Sequence, residues 1–228
     1  KKEHTSKKYR KEAEKMTLMN DVYCYIENNY QPNEPIFLSE LNISGIKAVS
    51  VRQQIKKLTE SGMLKRFDTG IYYIPKKSMF RSGSTLSVNE VIKKKYLADG
   101  ENCCGYVGGI LFANQLGLTT QVPGVYEIYT NKATTEYRET QLANLRVILR
   151  KPYCEINERN VAILQFLDLL KEIVEISEVD GEELTNRLIS YMKKKNIGFE
   201  SMRRFLPYYP DRIYKNMYEV GLLNGISA

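Results

Sequence analysis

No tryptophan occurs in the 228 residues, and the single histidine is His4, close to the start. Without another imidazole, no Ser–His–Asp or Cys–His arrangement can be assembled in a folded core. Histidine-based metal sites are excluded for the same reason. The four cysteines (Cys24, Cys103, Cys104, Cys154) include no C-x-x-C pair, and adjacent Cys103–Cys104 is not a zinc spacing. They read as small buried apolar residues of a reduced protein, with a redox role for Cys103–Cys104 the lesser reading. No uncharged apolar run approaches the roughly 18–20 residues that a membrane span needs. The opening KKEHTSKKYRKEAEK lacks the apolar core of a signal peptide, so a soluble cytoplasmic protein is expected, without membrane partners. It also lacks an initiator Met, as expected of a chain that begins inside a longer one or after trimming.

Phosphate-binding and acid–base motifs are equally scarce. Gly105, Gly108 and Gly109 fit neither G-x-x-x-x-G-K-[ST] nor G-x-G-x-x-G, so a tight turn that lets a helix pack closely on a strand is the better reading. Glu182–Glu183, and Glu155 with Glu158, are spaced like surface acids rather than a magnesium site. No enzymatic activity, cofactor or metal is expected.

What is present is an ordinary soluble composition, 43% hydrophobic and 27% charged, with 17 tyrosines. Its charge is unevenly placed. Residues 1–80 hold 15 Lys and Arg against 9 Asp and Glu, whereas residues 81–228 hold 19 against 18. The excess positive charge therefore sits in the first third, where it can meet a polyanion. Part of it belongs to a basic leader over 1–16, expected to be flexible.

Periodicity organises the rest. Leu18, Val22, Tyr25 and Ile26 predict a helix to about Asn29, and Pro32 and Pro35 a loop. Ser39 is a good N-cap for a short helix around Glu40–Leu41. Val51, Ile55 and Leu58 recur at helical spacing on a third helix that ends at Ser61–Gly62. Met63–Phe67 and Ile71–Tyr73, around Asp68–Thr69–Gly70, signal a β-hairpin. A linker is expected at Ser82–Gly83–Ser84. Beyond it, helices are expected at 88–97 and 110–116, and strands at Val125–Tyr129 and Leu145–Leu149, with Tyr137 on a third. From residue 160 onward four helices are expected: Val161–Ile176, Glu182–Lys195, Phe199–Leu206 and Asp211–Leu222. The fold class is α+β: an N-terminal winged helix-turn-helix domain over 17–80, then a mixed α+β domain with a helical C-terminus over 86–228.

Three helices and a two-stranded wing suit DNA because the third helix can enter the major groove while the one before it braces the backbone. Opposite its apolar stripe, Arg52, Gln53 and Lys56 offer donors to base edges, and Lys57, Lys65 and Arg66 offer cations to phosphates. Ser44 and Ser50 stand where hydroxyls can meet phosphate near the helix start. A solvated helix face also carries such residues, and winged helices also serve as protein-interaction modules, which is the competing reading.

The stretch Val51–Arg66, with Gly70–Ile71–Tyr72–Tyr73–Ile74–Pro75, resembles the N-terminal domain of AbiEi-type antitoxins of type IV toxin–antitoxin (abortive infection) systems. Gly105–Gly109 and the run Ala113–Pro123, which contains LGLTTQVP, resemble the signature of their C-terminal domain, and the strand Tyr126–Thr130 follows in its place. The resemblance covers roughly residues 20–150 and implies a bifunctional protein. Its N-terminal domain would bind inverted repeats in its own operon as a transcriptional repressor, which favours two protomers on the duplex. Its C-terminal domain would counter a nucleotidyltransferase toxin encoded next door.

Overall fold

In the computed structural model, which describes residues 17–76 and 84–223, the first element is a helix over 17–29 (α1). The basic leader with His4, and Ser82–Gly83 of the expected linker, lie outside the described residues. Chain contacts divide the protein into two units, Lys1–Ile92 and Lys93–Ala228, so the boundary falls later than the expected linker. Ser84 is anchored within the first unit, where its hydroxyl accepts from the Lys76 amide at 2.8 Å and donates to Asn33 Oδ1 at 2.6 Å.

In the first unit α1 buries Val22 and Ile26, the expected stripe, but leaves Cys24 exposed. A short strand, Ile36–Phe37 (β1), leads into a hydrogen-bonded turn over 38–40. The helix expected around Glu40–Leu41 does not form. Leu41 and Ile43 are both drawn into the core, and their two-residue spacing suits extended chain rather than a helical turn. The next helix, Ala48–Glu60 (α2), buries Val51, Gln54, Ile55 and Leu58. Gly62 follows it at φ +79°, a left-handed residue that only glycine adopts at no steric cost, and its amide donates to Thr59 O. Strands Lys65–Asp68 (β2) and Ile71–Tyr73 (β3) form the expected hairpin, with a bulge between Arg66 and Asp68. β1 pairs antiparallel with the other edge of β3, giving the order β1-β3-β2. One apolar cluster, with Val22, Ile26, Ile36, Val51, Ile55, Leu58 and Leu64 at its centre, joins α1, α2 and this sheet. A one-turn helix, Val88–Ile92 (α3), completes the unit.

The second unit begins with a π-helical turn, Lys93–Leu97, where a continuous α-helix over 88–97 was expected. A two-stranded ribbon follows, Ala98–Asp99 (β4) with Asn102–Cys103 (β5). Gly105–Val107, expected as a turn, is a strand (β6). A Cβ on Gly105 would lie 2.5 Å from the Tyr96 carbonyl oxygen and 2.7 Å from that of Tyr129, so the glycine permits a close backbone approach. Gly109–Gln115 (α4), Val125–Thr130 (β7), Tyr137–Leu142 (β8) and Leu145–Arg150 (β9) come next. The sheet order is β6-β7-β9-β8, with β7 and β9 parallel and the other pairs antiparallel. Helices Val161–Ile176 (α5), Gly181–Lys195 (α6), Phe199–Arg203 (α7) and Arg212–Glu219 (α8) follow, with a 3₁₀ turn at Leu206–Tyr208. Overall the protein is α+β. Among the described residues no helix is long and apolar enough to cross a membrane.

The core of this unit contains charge. On α5, Asp168 and Lys171 form an ion pair of 3.1 Å, with their side chains 1% and 7% exposed. Tyr106 donates its hydroxyl to Asp168, and Tyr209 donates to the same carboxylate at 3.4 Å. The Lys171 ammonium donates to the Tyr129 hydroxyl at 3.1 Å and lies over the Tyr129 and Tyr153 rings. Burial pushes the Asp168 carboxyl up, against the opposing pull of Lys171 and the phenols. The pair is therefore interdependent. Lys171→Met should cost about 3–5 kcal/mol in urea unfolding, because it strands the carboxylate, whereas Asp168→Asn/Lys171→Met should recover most of that loss.

Candidate nucleic-acid interface

Burial of Val51, Gln54, Ile55 and Leu58 fixes which face of α2 turns to solvent. Val49, Arg52, Gln53 and Lys56 are exposed, at spacings of three and four residues that place them on one side. The predicted base readers Arg52, Gln53 and Lys56 are therefore brought together. Lys57 is half-buried on the flank, one residue and about 100° round from Lys56. Ser44 is exposed in the loop before α2, and Ser50 is half-buried in its first turn.

The other two predicted cations belong to the hairpin rather than to the helix. Lys65 opens β2 opposite Tyr73, half-buried. Arg66 is exposed, and its guanidinium donates to the Asp68 carbonyl at 3.2 Å and to Thr69 Oγ1 at 2.9 Å, which steadies it against the β2–β3 turn. Lys56 faces Glu60 at 3.8 Å with both side chains largely exposed, a pair worth about 0.3–0.5 kcal/mol. Such a pair yields readily to a phosphate. The first turn of α2 carries no acid, so its positive end keeps its attraction for anions.

Three residues of α2 and its N-cap escaped the sequence reading. Lys47, at the N-cap position, is exposed and adds a cation to the approach. Val49 is exposed although aliphatic. Gln54, polar in type, belongs to the buried stripe, being at i+3 from Val51, and periodicity of apolar residues alone could not show it.

The second unit offers a different surface. Its LGLTTQVP run is a clamped turn: the Thr120 amide and hydroxyl donate to Glu178 at 2.7 and 2.9 Å. Those bonds, led by that of the Thr120 amide, hold the Glu178 carboxyl below its usual range. A groove of about 830 Å³ lies between α4 and α6, with Phe112, Leu116 and Tyr191 among its lining. Acids Glu182 and Glu183 stand at one end of α6 and Lys194 and Lys195 at the other, as the helix dipole favours. Of the C-terminal tyrosines, Tyr209 is buried while Tyr208, Tyr214 and Tyr218 are exposed. Among the described residues no three His, Cys, Asp or Glu side chains are grouped to hold a metal ion.

Compared with known proteins, the chain matches the profile of a family described as "Family of unknown function (DUF6088)" over residues 29–195. No curated protein matches it.

The Gln54 Oε1 is buried without a hydrogen-bond partner among the described residues. Replacing Gln54 by the near-isosteric Met removes that desolvated acceptor and should stabilise the protein by about 1 kcal/mol. Thermal unfolding of the purified variant checks this, a lower midpoint being the contrary result.

Proposed function

The chain belongs to the DUF6088 family, whose function is unknown, and we propose that it is a double-stranded DNA-binding transcriptional repressor whose first unit acts as a winged-helix module. One observation carries the reading: α2 buries its aliphatic stripe and leaves Arg52, Gln53 and Lys56 together on the opposite, exposed face. An amide and two cations on a free helix face match the acceptors of a major groove and its phosphates. The β2–β3 hairpin serves as the wing, carrying Lys65 and Arg66 to the backbone, and Ser44, Ser50 and Lys57 add phosphate contacts. A single turn stands in the place of the bracing helix. The resemblance to AbiEi-type antitoxins supports a cytoplasmic autorepressor that binds inverted repeats of its own operon as two protomers. It also supports a second role for the Lys93–Ala228 unit, countering a nucleotidyltransferase toxin.

Fluorescence anisotropy with the DNA upstream of the protein's own gene tests the reading. Arg52→Ala should cost about 1–3 kcal/mol on the preferred sequence and relax specificity at one base. Lys57→Ala should weaken all sequences alike and flatten the salt slope by about one unit. Equal affinity of the wild type and Arg52→Ala/Lys56→Ala for every duplex would reject this surface and leave the protein-interaction reading.

A further inference from the structure

Val49 is 62% exposed on a helix that sends its other large aliphatic residues, Val51, Ile55 and Leu58, inward. It is the second residue of α2, one turn before Gln53 and three residues before Arg52, and so shares their face. Among the described residues of the first unit it is the one large hydrophobic side chain so exposed. A docking surface for protein needs a contiguous apolar patch. A lone isopropyl group between cations and amides suits a target whose own apolar feature is equally small.

The B-DNA major groove has such a feature in the 5-methyl group of thymine. One helical turn advances about 5.4 Å, and one base-pair step about 3.4 Å. Side chains at 49 and 53 therefore meet bases one or two steps apart. Glutamine pairs bidentately with adenine N6 and N7, so the two residues would read a short A/T element together. Resting on the DNA-binding reading above, we propose that Val49 is a specificity-determining residue, packing on a thymine 5-methyl group one or two base pairs from the adenine read by Gln53.

Duplexes enriched from a random library by the wild-type protein provide the probe. Each thymine is then replaced singly by deoxyuridine, which removes the methyl group alone. At one or two positions the wild type should lose affinity about fourfold, the value of one buried methyl-sized group. Val49→Ala should lose nothing at those positions, while binding the thymine duplex with an unchanged salt slope. Val49→Thr, which keeps one methyl, should retain the sensitivity. Indifference to uracil at every position, or sensitivity retained by Val49→Ala, overturns the proposal while leaving DNA binding intact. Failure of the wild type to enrich any duplex overturns both readings.

Discussion

A row of aliphatic contacts sets the rotational phase of α2, and the rest of the interface follows from it. Val51, Ile55 and Leu58 are 2%, 1% and 0% exposed. At about 1.5–3 kcal/mol for each fully buried aliphatic side chain, the row holds roughly 5–9 kcal/mol. Turning the helix by one residue, about 100°, would lift part of that row into water. Charge interactions on the outer face are an order of magnitude weaker, since an exposed ion pair contributes about 0.2–1 kcal/mol. Apolar contact thus decides which polar groups α2 shows, and neither Lys56–Glu60 nor any neighbouring pair can override it.

That imbalance also explains why the outer face can serve a ligand. Lys56 faces Glu60 at 3.8 Å with both side chains largely exposed, and the first turn of α2 contributes no acid to neutralise Arg52. On the proposed DNA-binding reading, exchanging such a contact for a duplex phosphate would release condensed counterions, a gain in entropy that a surface ion pair does not offer. The hairpin behaves differently. Arg66 is tied to Asp68 and Thr69 at its own turn, so its side chain is ordered before any partner arrives. An ordered guanidinium loses less entropy on meeting a backbone than a free lysine does.

Long periodic segments were legible in the sequence: α2, the hairpin, β7 and β9 follow from spacing, and α5 from its apolar run. What escaped has specific causes. Leu41 and Ile43 sit beside a good N-cap, yet tertiary burial at two-residue spacing overrides the local helix signal. Gly105–Val107 looks like a turn because glycine is usually a breaker, whereas here its missing Cβ admits two carbonyl oxygens to a sheet edge. Within the candidate interface, Arg52, Gln53, Lys56 and Lys57 were visible from the helical wheel, and Lys65 and Arg66 from the hairpin signal. Val49 was not, since an aliphatic residue next to an apolar stripe is assigned to it by default. Gln54 was not legible either, since a polar residue gives no signal in a pattern of apolar spacing.

The same arithmetic that fixes α2 cannot explain the core of the second unit, where α5 buries both Asp168 and Lys171. A buried carboxylate adds a demand that aliphatic contact does not make, since it is stable only where its donors converge. Lys171 donates from the next turn of α5 itself, while Tyr106 on β6 and Tyr209 after the 3₁₀ turn come from distant parts of the chain. Tyr129, paired across β6–β7 with Tyr106 and stacked on it at 5.2 Å, accepts a hydrogen bond from the Lys171 ammonium. Moving α5 by one residue against this sheet would carry the ion pair with it but strip it of the hydroxyls of Tyr106, Tyr129 and Tyr209, leaving buried charge short of hydrogen-bond partners. Hydrophobic burial thus supplies the energy that collapses α5 onto the sheet, and the Asp168–Lys171–tyrosine cluster selects one register among those that burial alone would permit.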